Sequence, residues 1–192
     1  FYQSIIELER LIEQDGGLKS FVFEFTEWSH IVKNVVKNKI TGENWFYANS
    51  THVLDTAFYL AGMPTEINSL VSGRGTIPFH PKSSIFTGSG LTEKGALFSY
   101  HANWNAPGRW YGEFLTSNFR YILRPIEKLF VQNIGSVKIE EVENIDYSLD
   151  EKYKPGLYLQ TKSFLEDSHK KFLTIESQSE LVSKVYSKIA GY

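Results

Sequence analysis

The residues best suited to chemistry in this 192-residue chain stand on one helical stretch, Trp45 to Ala61, where Asp55 and Thr56 lie one turn ahead of His52 and Asn49 one turn behind. At about 100° per residue, Val53, Leu54, Ala57, Phe58, Leu60 and Ala61 fill one half of the wheel, and Asn49, His52, Asp55, Thr56 and Tyr59 fill the other. An imidazole among such groups can move protons near neutral pH. A histidine that only hydrogen-bonds a helix neighbour would show the same pattern, so spacing leaves proton transfer and a structural role both open.

Residue types exclude much else. Without Cys there is no thiol nucleophile, zinc–thiolate site, iron–sulfur cluster or disulfide, and the five His form no His-Glu-x-x-His pair. Gly73-Arg74-Gly75 and Gly88-Ser89-Gly90 lack the third glycine of a dinucleotide fingerprint and the Lys-Ser/Thr of a phosphate loop, and both read as hairpin turns. Glu24/Glu27 and Glu140/Glu141 read as solvated strand acids rather than glycosidase carboxylates, and no Gly-x-Ser-x-Gly elbow occurs. His101 reads as a sheet-face residue, while His30, His80 and His169 stand in polar surroundings and carry no role.

The elements that must position these residues are legible in the pattern. Ile5, Leu8, Leu11 and Ile12 make the apolar face of an opening helix that Gly16-Gly17 ends. From Leu18 to Trp28, Phe21, Phe23 and Phe25 alternate with other residues, as in a strand. Ser29 to Asn44 is polar and basic and reads as a mobile loop, and Gly62 and Pro64 close the His52 helix. From Pro64 to Asn144 seven short apolar runs separated by Gly, Pro or Asn imply an antiparallel sheet. Two helices follow, one with Pro155 in its first turn and one opened by a Ser177/Glu180 capping box and ended by Gly191. The whole, residues 1–192, reads as one α+β domain.

Twenty-two acidic against twenty basic residues give a net charge of −2, so no positive field draws in nucleic acid or an anionic membrane. No apolar run is long enough to span a bilayer and the N-terminus lacks a signal-peptide pattern, which suggests the cytoplasm. The only Met is Met63, so the chain is expected to be part of something longer. Aromatic strand faces around Phe98, Trp110 and Tyr121 suggest a homo-oligomer, because one helix layer would not cover them all.

The stretches NWFYANSTHVLDTAFYLAGMP and TEKGALFSYHANWNAPGRWYGEFLTSNFRYILRPIEKL, with the order of elements around them, resemble the C-terminal domain of the Gfo/Idh/MocA oxidoreductases, the glucose-fructose oxidoreductase and inositol dehydrogenase family. That resemblance implies an open, largely antiparallel sheet with helices on one face, like the C-terminal domain of glyceraldehyde-3-phosphate dehydrogenase, and subunit contacts on the other. It also implies a preceding Rossmann domain that holds NAD or NADP and brings a Glu-Lys-Pro motif to the reaction centre. His52 would then be the acid/base on a sugar, sugar-nucleotide or polyol hydroxyl. Many members carry an Asp four residues before that histidine; here the position is Ala48, and Asn49 is the nearest polar substitute. By the same resemblance Asp55 would fix the helix or the imidazole, and Thr26, Glu27, Trp28, Arg109 and Trp110 would face the substrate, although core aromatics and a surface Arg would look the same. Two other functions fit: an NAD-dependent glycosidase with no net redox change, and a non-catalytic scaffold that only oligomerises or holds a ligand.

Overall fold

The computed structural model describes residues 1–166 and 172–192; His169 lies outside the described residues. Helix α1 (Gln3–Gln14) leads to β1 (Ser20–Glu24), short helices α2 (Ser29–Val35) and α3 (Lys39–Glu43), and a π-helical turn (Phe46–Ser50) that runs directly into α4 (Thr51–Ala61). Seven strands follow: β2 (Pro64–Ser72), β3 (Ile85–Thr92), β4 (Leu97–Asn103), β5 (Tyr111–Leu115), β6 (Phe119–Leu123), β7 (Phe130–Asn133) and β8 (Ile139–Glu141). Helices α5 (Ser148–Lys152), α6 (Leu157–Leu165), α7 (Ile175–Leu181) and α8 (Ser187–Ala190) close the chain, α7 and α8 being joined by a second π-helical turn at Val182–Tyr186. Among the described residues no helix is long and apolar enough to cross a membrane.

All eight strands form one open sheet in the order β2-β3-β4-β1-β5-β6-β7-β8, and every pairing is antiparallel except β1 with β4. The first strand is therefore central, and its alternation sets the core. Phe21, Phe23 and Phe25 face the helices, flanked by Phe98 and Tyr100 of β4 and Phe114 of β5, with ring centroids 5.3 Å apart for Phe21–Phe98 and 5.5 Å for Phe23–Tyr100. Phe58 of α4 meets this row edge-on, 5.4 Å from Phe98 and 5.7 Å from Phe23, in the geometry aromatic quadrupoles favour. Leu8 and Ile12 of α1 and Leu181, Val185 and Ile189 near the C-terminus complete one continuous core.

The structure revises several expectations. Ser29–Asn44 is not an open loop: α2 and α3 form there, and the Asn38 side chain caps α3 by accepting from the N–H groups of Ile40 and Thr41. The Ser177/Glu180 capping box does not form, because α7 starts earlier with Thr174 as its cap and Glu180 pairs with Lys184 one turn on. Pro155 stands just before α6 rather than in it, after the unforeseen α5. Phe98 and Tyr121 lie beneath the chain's own helices, 4% and 3% exposed, so they are no argument for self-association. The uncovered face instead mixes the exposed Leu70 and Leu97 with Ser89, Ser99, His101 and a Glu113–Arg120 ion pair. His80 is buried: Nδ1 lies 2.7 Å from the Ser83 carbonyl, and Nε2 meets the Tyr192 hydroxyl.

Gly73-Arg74-Gly75 does turn the chain between β2 and β3, but Gly88-Ser89-Gly90 lies inside β3. Those two glycines let large rings of the neighbouring strand cross the sheet surface: a Cβ on Gly90 would stand 2.6 Å from the Phe98 ring and closer still to the Glu66 carbonyl. Gly90→Ala is therefore expected to destabilise the fold by roughly 2–4 kcal/mol through overpacking, whereas Gly95→Ala, in open space at positive φ, should cost only about 1 kcal/mol. Urea melts of the two variants would check this, and equal midpoints would contradict it.

Candidate functional site

Strand parity continues past the last ladder bond of β1. After Phe21, Phe23 and Phe25 the next residue of that parity is Glu27, whose carboxylate is carried inward, 1% exposed, below the start of the His52 helix. There Ser50 Oγ donates to Glu27 Oε1 at 2.7 Å, and Asn49 Nδ2 donates to both carboxylate oxygens at 3.1 and 3.0 Å. Asn49 and Ser50 belong to the π-helical turn, whose wider spacing fits one more residue per turn than an α-helix and breaks the 100° wheel at this point. Asn49 is therefore bonded to Glu27 and not to His52. Burial pushes the Glu27 carboxyl above the usual carboxylate range, opposed by the bonds from Ser50 and Asn49 and by the charge of Arg109.

Thr26 is equally buried and accepts from the Asn103 N–H at 3.1 Å, tying the ends of β1 and β4 together. Trp28 breaks out to the surface at 46% exposure, and its indole N–H donates to the Gly108 carbonyl at 2.8 Å. Gly108 allows this approach, since a Cβ there would come within 2.8 Å of the Thr26 methyl. The next residue, Arg109, is held between two indoles, its guanidinium carbon 4.8 Å from the Trp28 ring centre and 4.6 Å from that of Trp110. The Trp110 ring lies 6.0 Å from the His52 imidazole. A continuous row, Trp28–Arg109–Trp110–His52, thus forms where the end of β1, the loop before β5 and the start of α4 meet.

His52 is exposed and its ring has no hydrogen-bond partner among the described residues, yet crowding by neighbouring atoms, and then the charge of Lys154, hold its pKa below the ordinary value of 6.5. The imidazole is consequently neutral at pH 7 and able to accept a proton. Lys154, in the connection from α5 to α6, is a charge felt at the site that the sequence pattern did not single out; nothing in EKYKPG distinguishes it from a surface charge. Asp55 and Thr56 do not converge on the ring either. Thr56 Oγ1 donates to the His52 carbonyl at 2.9 Å, while Asp55 lines an apolar cavity against α1, has a buried Oδ1 without a partner among the described residues, and is pushed by burial up to about 7. No three His, Asp or Glu side chains among the described residues are grouped to hold a metal ion.

Comparison with known proteins places this arrangement in context. No protein-family model and no curated protein matches the chain. Solved structures do. Levoglucosan dehydrogenase in complex with NADH and levoglucosan superposes with a TM-score of 0.67 at 18% identity, over 99% of this chain and 61% of that one. UDP-N-acetylglucosamine 3-dehydrogenase GnnA from Acidithiobacillus ferrooxidans gives 0.62 at 12%, over 99% and 58%, and the dehydrogenase MviM from Clostridium difficile 0.69 at 11%, over 100% and 59%. The chain therefore spans about three-fifths of the length of these dehydrogenases and has the fold of that part of them. The α+β fold, an open and largely antiparallel sheet with helices on one face, is the one the sequence resemblance implies.

Removing the Glu27 carboxylate should expose how much the turn depends on it. Glu27→Ala, which leaves Ser50 and Asn49 donors unpaired in a buried place, is expected to cost roughly 2–4 kcal/mol. Glu27→Gln keeps an acceptor and should cost less. Because burial raises the folded-state pKa, the wild-type contribution is greatest below the ordinary carboxylate pKa and declines as pH rises through the raised value. The Gln variant should lose that decline, so its deficit relative to wild type shrinks from pH 4 to pH 8 in chemical denaturation; a deficit that grows with pH would contradict the assignment.

Proposed function

We propose that this chain is the substrate-side domain of an NAD(P)-dependent oxidoreductase of the Gfo/Idh/MocA family, acting on a hydroxyl or carbonyl of a sugar, sugar nucleotide or polyol, with His52 as its acid/base. The observation that carries the reading is the Trp28–Arg109–Trp110–His52 row: a neutral imidazole beside two indoles and a guanidinium. Indole faces suit the C–H surface of a sugar ring, and guanidinium N–H groups suit its oxygens. Support also comes from the neighbours of like fold, one of which is a complex with NADH and L-sorbose.

Among the described residues no parallel strand leads through a glycine-rich turn into a helix, so the chain offers no cradle for a dinucleotide's phosphates. The cofactor, NAD or NADP, is assigned to a Rossmann domain outside these residues; when bound it supplies the hydride acceptor. Within the chain, His52 takes the proton of the substrate hydroxyl as that carbon is oxidised and returns it in the reverse direction. Arg109 and the two indoles orient the ring, and the Glu27-bonded turn holds the helix start in place. The uncovered sheet face, with Leu70 and Leu97, is assigned to a second copy of the protein. The scaffold alternative is favoured by one observation: among the described residues no carboxylate is bonded to the His52 ring.

The test is made in the full-length protein with NAD or NADP against a sugar panel, following reduced nicotinamide. His52→Ala is expected to lower turnover by about 10²–10⁴-fold while the fold persists, since the side chain is exposed and fills no core position. The acid limb of the wild-type pH–rate profile should fall below 6.5, the direction in which the imidazole is shifted. Ala48→Asp, restoring a carboxylate one turn before His52, should move that limb upward. Unchanged turnover in His52→Ala would favour the scaffold.

A further inference from the structure

Apart from the His52 row, the structure holds a second place with unused chemistry, the cavity of about 330 Å³ between α1, α4 and the residues around α7. Its walls are apolar, with Ile5 and Ile6 from α1, Phe58 from α4 and Phe172, Leu173 and Leu181 from the C-terminal segment. The volume is within the range of small-molecule sites. Four polar residues reach it, and three are already engaged: the Tyr59 hydroxyl donates to Glu9, and Thr56 Oγ1 donates to the His52 carbonyl. The fourth is Asp55, whose Oδ1 is buried with no hydrogen-bond partner among the described residues.

An orphaned carboxylate oxygen in an apolar cavity is costly by itself, and a ligand that donates to it while filling the apolar volume relieves that cost. No Lys, Arg or His is among the described residues that line the cavity, so none of these supplies a charge to complement Asp55. We propose that this cavity is a binding site for a small free amine, an ammonium group carried on a compact apolar body, with Asp55 as its counter-ion. Walls of phenylalanine, isoleucine and leucine select for the apolar body, and the carboxylate selects the ammonium over a neutral group of the same shape. The site is separate from the His52 row in its lining residues and does not depend on the oxidoreductase reading.

Among the described residues the charged and titratable groups facing Asp55 are Glu9 from α1 and Tyr59 from its own helix; the C-terminal wall contributes Phe172, Leu173 and Leu181. Burial holds the Asp55 carboxyl up to about 7 when no ligand neutralises it. Ammonium binding requires the carboxylate, so affinity should rise from about pH 5.5 as the carboxyl ionises and level off above about 7.

Benzylamine and its neutral counterpart benzyl alcohol would test this on the 192-residue chain, by titration followed through the amide resonances of Ile6, Thr56 and Tyr59. Benzylamine is expected to bind at least about tenfold more tightly than benzyl alcohol at pH 8, with the difference shrinking below pH 6. Asp55→Asn should abolish the preference while leaving benzyl alcohol binding within about twofold. Ile6→Trp, which fills the cavity, should remove both ligands and keeps the test decisive if the Asn variant folds poorly. Equal affinity for the two probes, a preference that survives Asp55→Asn, or binding that survives Ile6→Trp would each overturn the proposal.

Discussion

Everything in this molecule hangs on the alternation of one central strand. Phe21, Phe23 and Phe25 project to the same side of β1, and because β1 sits between β4 and β5, their rings meet Phe98, Tyr100 and Phe114 on both flanks. Aromatic side chains bring large buried area to few residues, so this row supplies much of the free energy that holds α1, α4 and the C-terminal helices on one face. A one-residue slip of β1 would turn all three rings to the uncovered face and leave Val22 and Glu24 in the core. Register here is therefore strongly specified.

The same parity delivers the site. Glu27 follows the phenylalanines inward, which is an expensive place for a carboxylate unless hydrogen bonds meet it. The bonds come from Asn49 and Ser50, and they can do so because the chain widens into a π-turn just before α4. Core packing, a buried acid and an irregular helix start are thus one arrangement, and it leads directly into the helix that carries His52. Pi-turns of this kind concentrate at functional sites, where an extra residue re-aims a side chain.

Around His52 the surroundings favour the neutral imidazole. Lys154 and crowding both oppose protonation, and Arg109 sits two indole-bounded positions away with its charge also felt at Glu27. Asp55, only one turn along the same helix, experiences an opposite environment: an apolar cavity that favours its neutral form. Two ionisable residues three apart therefore serve different spaces, one open to the Trp-Arg rim and the other closed against α1.

The sequence by itself determined whatever depends on period and on backbone permissiveness. The helix ends at Gly16-Gly17, Gly62 and Gly191 are where the residues require them, each of these glycines having positive φ, and all seven later strands fall on the apolar runs read from the pattern. The buried half of α4 was also legible, because burial follows a wheel that local geometry imposes. Only the tertiary structure decided what the polar half does. The wheel assumed one spacing throughout, and the π-turn changes it exactly where Asn49 stands; Gly88 and Gly90 looked like a turn because sequence shows small residues but not the rings of β4 that cross above them. The charge of Lys154 acts on the imidazole from about a hundred residues away in the chain, and Asp55 loses its solvent to α1. Distances of that kind are set by packing between elements, which no local pattern encodes.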